Sequence, residues 1–199
     1  MKIVLFYHSL ISDWNHGNAH FLRGICASLQ KLGHAVTVYE PAGGWSLSSL
    51  KADYGEKAVE DFSASFPSLT SSFYDPKNYR LTELINGADL VIVHEWNEPE
   101  LVREIGLQKL SRDFTLLFHD THHRAVSARE EMKKYALQHY DGVLAFGEAL
   151  REVYLREGWH EKVWTWHEAA DMETYYPKTN GEKAGDLVWV GNWGDEERT

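Results

Sequence analysis

The sequence predicts an α/β fold, a Rossmann-like doubly wound parallel sheet of about seven strands, on three observations. Seven short apolar runs rich in β-branched and aromatic residues recur along the chain. Segments with apolar residues at helical spacing lie between them nearly throughout. Right-handed crossovers then put the first strand in the middle, in the order 3-2-1-4-5-6 with the seventh outside.

The first strand is "KIVLFY", followed by the long loop "HSLISDWNHGNAHFLRG". Out of that loop runs the helix "NAHFLRGICASLQKLG", with Gly33 as its C-cap. "AVTVYE" is the second strand, and the serine-rich "WSLSSLKADYGEK" reads as a loop entering the helix "EKAVEDFSASF". The strand "LTSSFYD" leads through the helix "YRLTELING" to "ADLVIVHE", and "EPELVREIGLQKL" leads to "FTLLFHD". One helix, "AVSAREEMKKYALQHY", precedes the sixth strand "GVLAFG"; "EALREVYLREGW" precedes the seventh, "KVWTWHE". After the turn-rich connector "YYPKTNGEKAG", the stretch "GDLVWVGNWGDEERT" starts as another buried strand and has no helix after it. Residues 1–177 are therefore expected to form an N-terminal domain, and 178–199 a linker and the first strand of a truncated second domain.

With 199 residues, 43% of them hydrophobic, the chain can bury a sizeable core. A formal charge of -10 with no basic stripe argues against nucleic acid or an anionic membrane as partner. Cys26 is the one cysteine, which excludes intramolecular disulfides and Cys-rich zinc sites and points to a reducing cytoplasm. Neither a signal peptide nor a transmembrane segment is legible. Apolar surface intended for a missing domain would favour self-association.

Ligands of open parallel sheets bind beyond the carboxyl ends of the strands, near the point where strand order reverses. The first strand runs into His8, the fourth into His94 and Glu95, the fifth into His119 and Asp120, the seventh into His167 and Glu168. Any one histidine is readily explained as a satisfied loop residue; four strands delivering imidazole or carboxylate to one rim favour a shared cleft. The cluster "HDTHHR" adds His122, His123 and Arg124, and the first loop adds Trp14, Asn15, His16, Gly17 and Asn18. Imidazole both donates and accepts, carboxylates accept paired hydroxyls, and tryptophan offers a face for a sugar ring, so these residues suit a hydroxyl-rich substrate. His20 and His34 read as helix-surface or turn residues.

No metal is expected. His119, His122 and His123 cannot converge without a special turn, and neither an H-E-x-x-H helix nor paired cysteines are present. Nor is a nicotinamide or flavin cofactor expected: Glu40 fits the acid that ends the second strand of such proteins, but Gly17 and Gly24 do not make the glycine triad.

Taken together, "HGNAHFLRGICASLQKLGHAVTVYEP", "LLFHDTHHR", "AFGEALREVYLREG", "HEAADMETYYP" and "DLVWVGNWGDEERT" resemble, in order and spacing, the N-terminal half of GT-B glycosyltransferases. The wording "WNHGN", "HEAAD" and "VGNWGDEERT" is most similar to the spore maturation protein type. The resemblance implies two Rossmann-like domains across a cleft, the first holding a hydroxyl-bearing acceptor and the second a nucleotide-sugar donor, with no separate cofactor. It places His119 on the donor-sugar histidine and Gly191, Asn192 and Trp193 beside the donor diphosphate. "HEAAD" replaces the family's N-G-V-D wording, which affects the contacts the resemblance implies near Glu168 and Asp171.

Glycosyl transfer needs leaving-group stabilisation and, if the anomeric centre inverts, a base on the acceptor side, for which His119, Asp120, Glu95 and His16 are the candidates. A half-enzyme is expected to be inactive alone. The rival functions are a non-catalytic glycan- or partner-binding module, a nucleotide-sugar epimerase of the same fold, and a nicotinamide oxidoreductase.

Overall fold

A computed structural model describes residues 1–177 and 185. Its seven strands are β1 (Lys2–Phe6), β2 (Ala35–Pro41), β3 (Ser71–Tyr74), β4 (Leu90–His94), β5 (Thr115–Asp120), β6 (Gly142–Ala145) and β7 (Val163–Thr165). They form one sheet in the order β3-β2-β1-β4-β5-β6-β7, every neighbouring pair parallel. The expected fold class and strand order are both present.

Alternation along each strand divides the core in two. Ile3, Leu5 and Tyr7 face one side with Ile92, Leu22 of α1 (Asn18–Lys31) and Phe62 of α3 (Lys57–Ser65). Val4, Phe6, Val91, Val93, Leu116 and Phe118 face the other, against Val102 and Ile105 of α5 (Pro99–Gln108) and Val153 and Tyr154 of α8 (Glu148–Glu157). Phe6 and Phe118 are fully buried; removing a side chain of that size from water contributes about 1.5–3 kcal/mol. Both faces being covered, the central strands read as continuous apolar runs. Gly33, at φ 81, ends α1 in the left-handed conformation that the C-cap reading requires.

Several boundaries differ from the expectation. The serine-rich stretch taken as a loop forms α2 (Trp45–Tyr54), whose first turn is tied down because Ser12 Oγ donates to Ser46 O at 2.9 Å and meets Ser46 Oγ at 2.8 Å. The helix expected over 79–87 is the single turn α4 (Leu81–Leu84). The long helix expected over 125–140 is two single turns, α6 (Arg124–Ser127) and α7 (Arg129–Met132), broken at Ala128 with φ -142 and ψ 53. Long-range bonds bend that segment inward: the Tyr135 hydroxyl donates to Glu95 O, and the Tyr140 hydroxyl to Val102 O at 2.8 Å. β7 stops at Thr165, so His167 and Glu168 lie past the strand rather than on its end. No helix among the described residues is long and apolar enough to cross a membrane. The expected second-domain strand lies outside the described residues.

Candidate active site

Strand order reverses between β1 and β4, and the crevice beyond their carboxyl ends is bounded by the β1–α1 loop. That loop is clamped from beneath. Glu40 Oε1, fully buried on β2, accepts from Leu10 N at 2.7 Å, Ile11 N at 3.2 Å and Ser71 Oγ at 2.6 Å. Burial raises the pKa of its carboxyl, and these hydrogen bonds oppose the shift. Arg23 on α1 donates to Leu10 O at 2.9 Å, Ile11 O at 2.7 Å and Asp13 at 3.3 Å. Glu40, at the position of a ribose-binding acid, is thus consumed in holding the loop.

On this base the loop presents His8 and His16, whose Nε2 atoms lie 3.3 Å apart. His8 is 5.4 Å, centroid to centroid, from His94, and His94 is 5.3 Å from His119, its register partner on β5. Four imidazoles, three from strand ends and His16 from the β1–α1 loop, therefore form one chain of ring contacts. All are held neutral at neutral pH. Burial, then the neighbouring His16, lowers the His8 pKa to about 3; burial lowers His119 to about 3 and His16 to about 4. His94 falls well below its ordinary value through burial and then the adjacent His119 and His8.

Neutral rings must choose a tautomer, and their partners indicate which. Trp96 N donates to His94 Nδ1 at 3.3 Å, which leaves the proton on Nε2, 3.2 Å from Thr121 Oγ1. Thr121 in turn donates to Glu95 Oε1 at 3.2 Å and accepts from Asn18 Nδ2 at 3.0 Å. The Tyr7 hydroxyl lies 2.7 Å from His119 Nδ1. With the hydroxyl donating, the ring proton sits on Nε2, a buried atom with no partner.

The carboxylates of this edge are already occupied. Glu95, fully buried, takes Thr121 on one oxygen and an ion pair with Arg124 on the other. Arg124 also donates to Glu95 O at 3.1 Å and lies over Trp96, 4.8 Å from its centroid. Asp120 leaves β5 on the opposite face from His119 and accepts from the Tyr154 hydroxyl at 2.6 Å and His122 N at 3.0 Å. It therefore stands apart from the imidazole chain. Glu168 has no hydrogen bond or ion pair among the described residues; its charge is felt at Tyr7, and neighbouring protein raises its own pKa.

The remaining expected residues scatter. His122 packs against Trp96 at 5.3 Å and joins the rim, whereas His123 is exposed and pairs with Ser127 Oγ at 2.7 Å. His167 is exposed, bonded through Nδ1 to Phe146 O at 2.9 Å, with no ring contact to the imidazole chain. Trp14, Asn15 and Gly17 lie on the loop wall, and Asn18, which begins α1, meets the imidazole chain through Thr121, to whose Oγ1 its Nδ2 donates at 3.0 Å. Gly191, Asn192 and Trp193 lie outside the described residues. Among the described residues, no group of three or more His, Cys, Asp or Glu side chains is arranged to hold a metal.

Five buried side-chain nitrogens lack a hydrogen-bond partner among the described residues: His8 Nδ1, His16 Nδ1, His119 Nε2, His122 Nδ1 and Arg124 Nε. All belong to this one rim. Buried polar atoms are ordinarily satisfied, since leaving one unpaired costs about 1–3 kcal/mol. Sequence reasoning missed Tyr7, Thr121, Trp45, Trp96 and Trp166, the last 4.9 Å from His119. A tyrosine ending a buried strand or a tryptophan opening a helix looks like core, and only its neighbour across the sheet reveals otherwise.

No protein-family model matches the chain, and no curated protein matches it significantly. Among solved structures, the fold is similar to an alpha-glucosyltransferase in complex with UDP and a 13-mer DNA containing a HMU base, with a TM-score of 0.58. The likeness covers 89% of this chain at 14% identity, so it speaks for the fold alone, and the chain spans 46% of that protein's length.

Proposed function

We propose that the chain is the acceptor-side half of a GT-B glycosyltransferase that moves a sugar from a nucleotide-sugar to a hydroxyl-bearing acceptor. One observation carries the reading: the five buried nitrogens without a partner among the described residues all belong to side chains at or just past the carboxyl ends of β1 and β5, on either side of β4, where an α/β sheet receives its ligand. A polyhydroxylated substrate supplies what they lack, since each hydroxyl both donates and accepts. The likeness to a UDP-binding glucosyltransferase supports the same class. Spore maturation type and a cytoplasmic setting are narrower parts of the proposal; they rest on the wording "WNHGN" and "HEAAD" and on the single buried Cys26.

In this reading His119 Nε2–H donates to a substrate hydroxyl, and the Tyr7 hydroxyl on Nδ1 fixes its tautomer. His8 and His16 offer their free Nδ1 atoms to the acceptor. If the reaction inverts, we assign proton removal to Glu168, because it is exposed and has no hydrogen bond or ion pair among the described residues, whereas Glu95 and Asp120 are committed. Stabilisation of the departing diphosphate falls to the stretch around Gly191, Asn192 and Trp193 and to residues that follow.

The test is a screen of nucleotide-sugars against the full-length protein, measuring nucleotide release with and without acceptors. Release raised by an acceptor is the expected result. Interconversion of the donor without transfer would instead indicate an epimerase, and sugar binding with no release a binding module.

A further inference from the structure

Three tryptophans from three elements make one aromatic surface beside the imidazole chain. Trp14 lies on the β1–α1 loop, Trp45 opens α2, and Trp96 follows β4; Trp45 is 6.1 Å from Trp14 and 6.2 Å from Trp96, centroid to centroid. One face of Trp45 stacks on His8 at 5.9 Å with an interplanar angle of 5°. Trp45 and Trp96 are still 43% and 39% exposed, so both keep a surface open to a ligand. Trp14 is held in orientation through Nε1–H, which donates to Asp53 Oδ2 at 2.7 Å.

Past Trp14 a groove leads away from the crevice. A chamber of about 420 Å³ elsewhere, between Tyr79 and Gln108, is separate from it. The groove's first chamber, about 520 Å³, is lined by Asp13, Trp14, Asn15, Leu50 and Tyr54. It continues, sharing Asp13, Leu50 and Tyr54, into a second of about 430 Å³ that reaches Lys57, Phe62 and Phe66. Each lies in the range of about 300–1,000 Å³ typical of small-molecule sites. Together with the tryptophan surface they are longer than one sugar ring requires.

The charges along this path decide what it can hold. Arg124, Arg23 and Lys57 are each already paired with a carboxylate: Glu95, Asp13 at 3.3 Å and Asp61 at 2.6 Å. A phosphate chain needs Lys or Arg charge that is not spent internally. What remains are aromatic faces and neutral imidazoles, which fit the C–H faces and hydroxyls of a sugar.

We infer that the acceptor is a neutral oligosaccharide. Its reacting sugar lies on the Trp45–Trp96 surface beside His8 and His16, and its further sugars run over Trp14 into the groove ending at Phe62 and Phe66. The inference rests on the glycosyltransferase reading and narrows its acceptor.

The chain is titrated, with calorimetry and tryptophan fluorescence as readouts, against mono- to tetrasaccharides of the malto, cello, manno and N-acetylchito series. Oligogalacturonates of the same lengths and a single-stranded DNA oligonucleotide are the competing probes. At least one neutral series is expected to bind, with the trisaccharide about tenfold or more tighter than the monosaccharide. Trp14→Ala and Tyr54→Ala are each expected to weaken the trisaccharide about tenfold and the monosaccharide by much less, so that the length dependence is lost. No binding by any neutral series, affinity independent of length, or tighter binding of the anionic probes overturns the inference. Nucleotide release with water as acceptor is read separately in the full-length protein. Release without oligosaccharide binding removes only the acceptor assignment, whereas oligosaccharide binding with no release, either to water or to the bound oligosaccharide, removes the transferase reading.

Discussion

His119 and Asp120 are adjacent on β5 and leave it on opposite faces: His119 Nδ1 meets the Tyr7 hydroxyl at 2.7 Å, Asp120 the Tyr154 hydroxyl at 2.6 Å. Strand alternation gives the two residues different work. Asp120→Asn is expected to cost about 1–3 kcal/mol of stability through its disturbed buried partners. Nucleotide-sugar turnover per folded molecule should fall much less than in a His119 variant, because Asp120 acts on the rim only through the His122 backbone. Urea denaturation beside a turnover assay checks both, and a large loss of turnover with unchanged stability would return Asp120 to the site.

Glu95 and Arg124 form a pair in which the carboxylate is fully buried. Removing one partner strands the other's charge, so Arg124→Met should destabilise the chain by about 3–5 kcal/mol. Adding Glu95→Gln should recover part of the loss, because the stranded charge is gone. Denaturation midpoints of the two single variants and the double variant measure the coupling; strictly additive losses would show that the pair contributes nothing.

His8 and His119 give stability a pH dependence of definite sign. Unfolded, each ring takes up a proton near pH 6.5; folded, burial delays this to about 3. Between those values the unfolded chain binds more protons, so stability is full above about pH 6.5 and declines on acidification, by about 1.4 kcal/mol per pH unit for each ring. Glu40 and Glu168, with raised carboxyl pKa values, act in the opposite direction, their contribution fading as pH rises through the folded values. Comparing the unfolding free energy at pH 7.5 and 5.5 in wild type and His8→Gln isolates one ring. The variant should show the shallower slope, and identical slopes would mean that His8 takes up its proton as readily folded as unfolded.

Gly24 on α1 lies against Asp171, where an added Cβ would come within 2.9 Å of the Asp171 Cβ and 3.1 Å of its Cα. A backbone atom cannot yield as a flexible side-chain tip does. Gly24→Ala should therefore push the segment around residues 169–173 off α1 and weaken the Lys31–Glu173 and His20–Tyr175 contacts. Overpacking of this kind costs about 1–3 kcal/mol. Limited proteolysis should show faster cleavage near residue 171, with the sheet core still resistant; unchanged cleavage would mean that the segment is not docked there.

The strands were legible because a parallel sheet buries both faces and leaves unbroken apolar runs such as "LVIVH" and "TLLFHD". Helix α2 was not, because its buried residues, Ser46 and Leu50, give almost no apolar stripe and its start is fixed by a contact to Ser12 far back in the chain. The segment over 125–140 was misread for a related reason: Met132, Ala136 and Tyr140 fall at helical spacing, yet Tyr135 and Tyr140 are each placed by a long-range bond from the hydroxyl. At the site, the strand-end rule found the residues that meet, His8, His94 and His119, but not the face each takes. Hence Asp120 and Glu95 were grouped with His119, although Tyr154 and Arg124 occupy them. Trp45 and Trp96 were invisible as site residues, because their role depends on where α2 and the turn after β4 lie in space.

The central claim is that the unpartnered His119 Nε2–H meets a sugar substrate. The most direct measurement is nucleotide-sugar turnover by the full-length protein and its His119→Ala variant, with circular dichroism establishing that both are folded. Loss of one buried hydrogen bond predicts a fall of about ten- to a hundredfold. Turnover equal to that of the wild type would contradict the account.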